Sequence, residues 1–188
     1  MLLHLRENAK RDNEKVMTES KSFKKEGTGQ SLEERAWTAL GSIPDPEIPA
    51  LSLLDLNIIR SVKANGNDVE VEMTPTFMGC PALERMKEDI RLRLKEVGFS
   101  GIQVKVNLAS SWSTDLLSES AKEKLRGFGI APPPKMGKSL PATLLLPVSC
   151  PFCGSAQTRL ESPFGSTLCK QIYYCDSCRQ SFERFKPL

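Results

Sequence analysis

Histidine is nearly missing from this chain: of 188 residues, His4 is the only one. That excludes a carboxylate–histidine di-iron set, which needs histidines on facing helices. It also leaves any nucleophilic cysteine or serine without its usual base, and any metal site must be rich in sulfur. Long apolar runs are absent too, so no segment is expected to span a bilayer. The opening Met1-Leu2-Leu3-His4-Leu5-Arg6 turns charged too early for a signal peptide, and a cytoplasmic location without membrane contact is expected. The net charge of +3 is spread thinly, with no dense basic stripe to neutralise phosphates, so nucleic acid is not an expected partner. No Gly-x-Gly-x-x-Gly fingerprint marks a flavin or nicotinamide site.

The cysteines are what the chain has instead. Five of the six fall between Cys150 and Cys178, and Cys80 stands alone. In a reducing compartment, paired Cys-x-x-Cys units read as metal ligands rather than disulfides. Cys150-Pro151-Phe152-Cys153-Gly154 forms one knuckle, in which Gly154 lets the backbone curl toward the sulfurs. Cys175-Asp176-Ser177-Cys178 forms the second, and the spacing predicts a closed tetrahedral site on adjoining hairpins. Zinc is favoured over iron, although four thiolates accommodate either. A closed site is structural. A module this small also lacks an adequate core without such a staple, so its folding is expected to depend on the metal. Strands are expected over 160–161, 168–174 and 181–185. Cys169 has two readings: a small buried apolar side chain on a ribbon strand, or a fifth, exchangeable thiol auxiliary to the metal.

Residues 1–30 are polar and charged, without an apolar period, and read as a disordered tail. From Ser31 the pattern changes. A capping box, Ser31-x-x-Glu34, precedes Leu32, Ala36, Leu40 and Ile43 at helical spacing, and Pro44, Pro46 and Pro49 stop the helix. A hairpin follows over 56–73, turning at Ala64-Asn65-Gly66-Asn67, with Val69, Val71 and Met73 alternating with Glu70 and Glu72. A second helix is expected from Pro81, with Leu83, Met86, Ile90, Leu94 and Val97 as its apolar stripe and Gly98 as its stop. A third strand alternates Ile102, Val104, Val106 and Leu108, and a last helix over 118–126 ends at Gly127. The fold class is therefore α+β. A two-layer domain over 31–131 precedes a proline-rich linker over 132–139 and a β-rich ribbon over 140–188. The ribbon is expected to unfold on chelation while 31–130 stays folded.

Cys80 lies in Gly79-Cys80-Pro81, and proline suits a first helical position, so Cys80 is expected at the N-cap. There the helix dipole and free amides would favour thiolate, and Gly79 would leave room for a ligand. The alternative is an inert helix-start residue. Asp45 and Glu47, on the proline-stiffened loop, are expected to share this mouth as hard ligands or proton acceptors, or else to form a solvated turn. Ser111, Trp112, Thr114 and Asp115 could line the same cleft, or serve as core (Trp112) and helix cap (Asp115).

These residues carry a resemblance. Ser42-Ile43-Pro44-Asp45-Pro46-Glu47-Ile48-Pro49, Asp55-Leu56, Thr74-Pro75-Thr76, Gly79-Cys80-Pro81 and Trp112-Ser113-Thr114-Asp115 resemble the SufT-type iron–sulfur assembly domain. Gly129-Ile130-Ala131-Pro132-Pro133 and the ribbon segment Phe164-Gly165-Ser166-Thr167-Leu168-Cys169-Lys170 extend it over residues 31–188. The whole is similar to the PaaD (PaaJ) family of bacterial phenylacetate degradation; the longer charged N-terminal tail departs from that pattern. The resemblance implies an assembly factor for the iron–sulfur reductase or di-iron component of the phenylacetyl-CoA epoxidase. It implies no turnover of its own, a transient iron or iron–sulfur cargo, and a functional role for the Gly-Cys-Pro cysteine, here Cys80. The rivals are an accessory subunit of the epoxidase and a thiol enzyme using Cys80.

Overall fold

The computed structural model describes residues 30–135 and 148–188. Residues 1–29 of the expected 1–30 tail, the later part of the linker and the first residues of the ribbon lie outside the described residues. Helix α1 (Leu32–Gly41) opens on the expected capping box: the Ser31 hydroxyl accepts from the Glu34 N–H at 3.1 Å, and the Ser31 N–H donates to the Glu34 carboxylate at 2.7 Å. Strands β1 (Ile59–Asn65) and β2 (Asp68–Met73) pair antiparallel across the predicted turn. Helix α2 (Leu83–Glu96) then crosses over to β3 (Gly101–Val106), which runs parallel to β2, giving a three-stranded sheet ordered β1-β2-β3. Val69, Val71 and Met73 point into a core with Ala36, Leu40, Met86, Ile90 and Leu94, as their periodicity requires.

Two local expectations are corrected. Helix α2 starts at Leu83, with Ala82 as an N-cap that makes no side-chain bond, so Cys80 is not the cap. Cys80 instead sits in a preceding turn, where its N–H donates to the Phe77 carbonyl and its carbonyl accepts from the Leu83 N–H. Helix α3 (Glu119–Gly127), capped by the Ser118 hydroxyl, includes Gly127; the left-handed residue that ends it is Gly129, at φ 82°.

After α3 comes β4 (Ile130–Ala131), too short to show an alternating pattern. It is the edge of a second sheet ordered β4-β7-β6-β5, formed with β5 (Thr158–Ser162), β6 (Lys170–Cys175) and β7 (Gln180–Phe185). The three ribbon strands stand where expected. Residues Ser31–Leu188 form a single compact unit. Ile130 and Ala131 pair parallel with Glu183 and Arg184. Phe185, 1% exposed, and Cys169 belong to the α/β core, with the Phe185 ring 5.9 Å from that of Trp112. The indole N–H of Trp112 donates to the Leu56 carbonyl at 2.7 Å, and the Thr114 N–H donates to the Leu188 carbonyl at 3.1 Å. The ribbon keeps a small core of its own in Ala131, Cys150, Tyr173, Cys175 and Phe182, while Cys169 and Phe185 pack into the α/β core. Trp112 and Thr114 fasten the halves together, while Asp115 stands exposed on a short 3-10 turn.

Candidate functional site

The six cysteines divide four and two. At the tips of the ribbon hairpins, Cys150 Sγ lies 3.7 Å from Cys178 Sγ, and Cys153 Sγ lies 3.6 Å from Cys175 Sγ. All four sulfurs fall within 4.8 Å of one another. Four sulfurs about 2.3 Å from a common zinc stand about 3.8 Å apart along each tetrahedral edge, so the donor set and its spacing fit zinc. Both knuckles turn by the same device. The residue after each pair takes positive φ, Gly154 at 75° and Arg179 at 58°, so that Gly154 N–H reaches the Cys150 carbonyl and Arg179 N–H the Cys175 carbonyl. This cage would hold zinc as a structural clamp between the turn that precedes β5 and the β6–β7 turn, with all four positions taken by protein.

The other two cysteines meet elsewhere. Cys169 is six residues before Cys175 along β6, about 20 Å away at strand rise, and so is not auxiliary to the cage. Gly165 explains where it goes. A Cβ there would lie 2.9 Å from the Lys170 side chain and 3.0 Å from its backbone, so only glycine lets this loop press against the start of β6. The loop is tied down by Gly165 N–H to the Lys170 carbonyl, Lys170 N–H to the Thr167 carbonyl and Ser166 N–H to the Glu183 carboxylate. The Cys169 sulfur is thereby carried into the seam between the sheets, 3.1 Å from Thr167 Oγ1 and 4.0 Å from Glu47 Oε2.

On the other wall, Asp45 is buried at 7% exposure, and its Oδ1 accepts from the Glu47 and Ile48 N–H groups at 2.9 and 2.8 Å. It shapes the loop that presents Glu47. Burial raises the Asp45 carboxyl above its ordinary 3.8, against the Ile48 and Glu47 amides and Lys170. Burial, and then the Asp45 charge, raise Glu47 above 4.5. Cys80, half-buried, faces the same groups. Burial pushes its thiol upward against the Ala82 N–H, and the charges of Glu47, Asp45 and Cys169 push it further. Cys169 is raised by burial first and then by Glu47 and Asp45, with Thr167 and Lys170 opposing. Asp45 and Glu47 thus bear electrostatically on Cys80, and burial with two carboxylates nearby holds its thiol toward the protonated form, the direction opposite to the expected thiolate. Without a cap position there is no helix dipole to offset desolvation and two carboxylates. Ser111 and Trp112 line a neighbouring groove of about 360 Å³ with residues 74–78.

Comparison with known proteins follows the same division. Residues 33–106 match the iron–sulfur cluster assembly protein family, and residues 139–186 match the PaaD zinc beta ribbon domain. The chain is 45% identical over 150 residues to the putative D component of the 1,2-phenylacetyl-CoA epoxidase of Escherichia coli, covering 80% of this chain and 90% of that protein. It is 35% identical over 91 residues to the Fe-S protein maturation auxiliary factor of Porphyromonas gingivalis, covering 47% of this chain and 85% of that one. A crystal structure of a domain of unknown function (DUF59) from Bacillus anthracis is 27% identical, with TM-score 0.46, over 50% of this chain and 90% of its own. No helix among the described residues is long and apolar enough to cross a membrane.

Proposed function

The chain belongs to the PaaD family, that of the D component of the 1,2-phenylacetyl-CoA epoxidase, and from that premise we propose that it is a maturation factor for the epoxidase's iron-containing components. Its cargo is iron or an iron–sulfur cluster, held transiently at Cys80, and its client is the iron–sulfur reductase or the di-iron oxygenase component. The observation that carries this reading is the match of residues 33–106, which include Asp45, Glu47 and Cys80, to the iron–sulfur cluster assembly protein family. A raised thiol proton suits a carrier. It leaves when metal binds and returns when metal is handed on, so affinity stays moderate and release is possible. The same raised proton argues against a thiol enzyme, because a nucleophilic cysteine needs a depressed pKa or an adjacent base. No histidine occurs among the described residues to supply one.

The test is a split result with the Cys80→Ser chain. The client should still co-purify with it but carry less iron and show little epoxidase activity. Full client iron and full activity would remove the chemical role from Cys80. An accessory subunit that only holds the complex in shape, a reading the raised thiol also accommodates, would then stand.

A further inference from the structure

We infer that Lys124 and Asp55 are positioning residues: reaching from helix α3 to the foot of the 44–52 loop, they set where Asp45 and Glu47 stand. This rests on the maturation reading and deepens it, because it gives α3, and the ribbon behind it, a part in shaping the cargo site.

Every link in the chain of contacts is short. The loop is pinched at its neck, where the Asp45 N–H donates to the Leu51 carbonyl at 2.7 Å and the Leu53 N–H to the Ile43 carbonyl at 3.0 Å. Pro44 and Ser52 form an isolated β-bridge across the same neck. Inside the loop, Asp45 Oδ1 holds the Glu47 and Ile48 amides. At the foot, Asp55 Oδ2 accepts from both the N–H and the hydroxyl of Ser52 at 2.9 Å, and the Asp55 N–H donates back to Ser52 Oγ at 3.0 Å. That reciprocal box ties Asp55 to the loop; Lys124 ties it to another element. From 69 residues away, Lys124 Nζ donates to both Asp55 oxygens at 2.8 Å. The next residue is held as well. The Leu56 carbonyl takes the Trp112 indole N–H at 2.7 Å, and the Trp112 ring lies 5.9 Å from that of Phe185 in the ribbon. Helix α3 in turn passes through the left-handed Gly129 directly into β4, whose pairing with β7 sets the helix against the ribbon sheet. Functional side chains keep their aim only when the residues behind them are themselves held. A lysine that merely solvates a surface would account for neither the grip on two oxygens nor an Asp55 side chain only 17% exposed. Because Lys124 itself is 48% exposed, losing the pair should loosen the loop rather than unfold the chain.

The experiment uses the full chain with its ribbon loaded with zinc, comparing Lys124→Met, Lys124→Arg and Asp55→Asn. The last keeps an oxygen toward Ser52 and drops the charge. In Lys124→Met the amide NMR signals of Glu47 and Ile48, which report their bonds to Asp45, should move while those of α1 and β2 stay in place. A loss of stability alone does not move native-state shifts. Maturation of the client, read as its iron content over time, should slow by about twofold to fivefold, the range that one partly exposed ion pair supports. Asp55→Asn should reproduce both effects, and Lys124→Arg should restore both. Unmoved Glu47 and Ile48 signals in Lys124→Met and Asp55→Asn overturn the inference. So do moved signals with undiminished client iron, in an assay where Cys80→Ser loses it; the maturation reading then survives and only the positioning role falls. If Cys80→Ser also keeps full client iron, the maturation reading falls, and the amide signals alone decide what Lys124 does to the loop.

Discussion

The cage and the seam are made of the same element and built in opposite ways. In the cage, each pair of sulfurs comes from a four-residue turn, every donor is a thiol, and the four lie within 4.8 Å of one another. In the seam, the groups come from three distant segments, thiols are mixed with carboxylates, and Cys169 and Glu47 stand 4.0 Å apart. Local assembly from soft donors gives a tight, saturated site suited to permanent occupancy. Assembly by tertiary packing instead sets thiols beside carboxylates, and burial holds all of them toward their protonated forms.

The largest blow to this contrast should come from Cys175→Ser. Loss of the structural metal should cost on the order of 5 kcal/mol, seen as loss of bound zinc and a collapse of the thermal transition. Because β4, Trp112 and Phe185 join the sheets, amide protection in β1 and α1 should fall as well. Full protection there would show that the α/β domain stands without the ribbon. Next is Phe185→Ala, which opens the seam directly. The expected cost is about 3–5 kcal/mol by urea denaturation, with zinc retained. A loss below about 1 kcal/mol would mean that the Trp112–Phe185 contact does not hold the halves together.

Asp45 sharpens the comparison through pH. Asp45→Ala removes the acceptor for two amides and should cost about 1–3 kcal/mol. Asp45→Asn keeps an oxygen in place and should be neutral to stabilising at pH 7. The sign follows from the raised carboxyls of Asp45 and Glu47. Their contribution to stability is fully present below 3.8 and 4.5 and is lost as pH rises through their higher folded values. The stability of Asp45→Asn relative to the unaltered chain should therefore grow across that window, measured by denaturation at a series of pH values. A flat difference would mean that Asp45 is not strained by its charge. Cys80→Ser should shift stability by less than about 1 kcal/mol, because Cys80 caps no helix and is only half-buried. A loss as deep as that of Cys175→Ser would make Cys80 structural. Smallest of all, Arg179→Gly should stabilise the second knuckle by up to about 1 kcal/mol, since its left-handed backbone strains a side chain. No change would show that the knuckle tolerates the strain.

Whatever is encoded in short spacings is legible in the sequence. The capping box at Ser31 and Glu34, the stripe Met86, Ile90 and Leu94, the hairpin at Asn65-Gly66 and the four-sulfur cage each need only neighbours within a turn or two. The start of α2 is not, because proline's preference for a first helical position points to Pro81, whereas the chain spends Gly79 to Ala82 in turns before helical bonding begins. Cys169 is legible as a leftover thiol but not as a neighbour of Glu47, because that contact spans 122 residues and depends on how two sheets dock. The one local trace is Gly165, whose need becomes clear only once Lys170 and Glu183 are seen to crowd it.

Strand β6 also sets a boundary between the cage and the lone thiol of the seam. It holds Cys175 at one end and is preceded by Cys169 at the other, roughly 20 Å apart along an extended backbone that cannot fold up. The Cys169 thiol therefore cannot stand in for a lost cage ligand, and a reagent that reports on one set of sulfurs reports nothing of the other. Strand length keeps the two thiol chemistries separate.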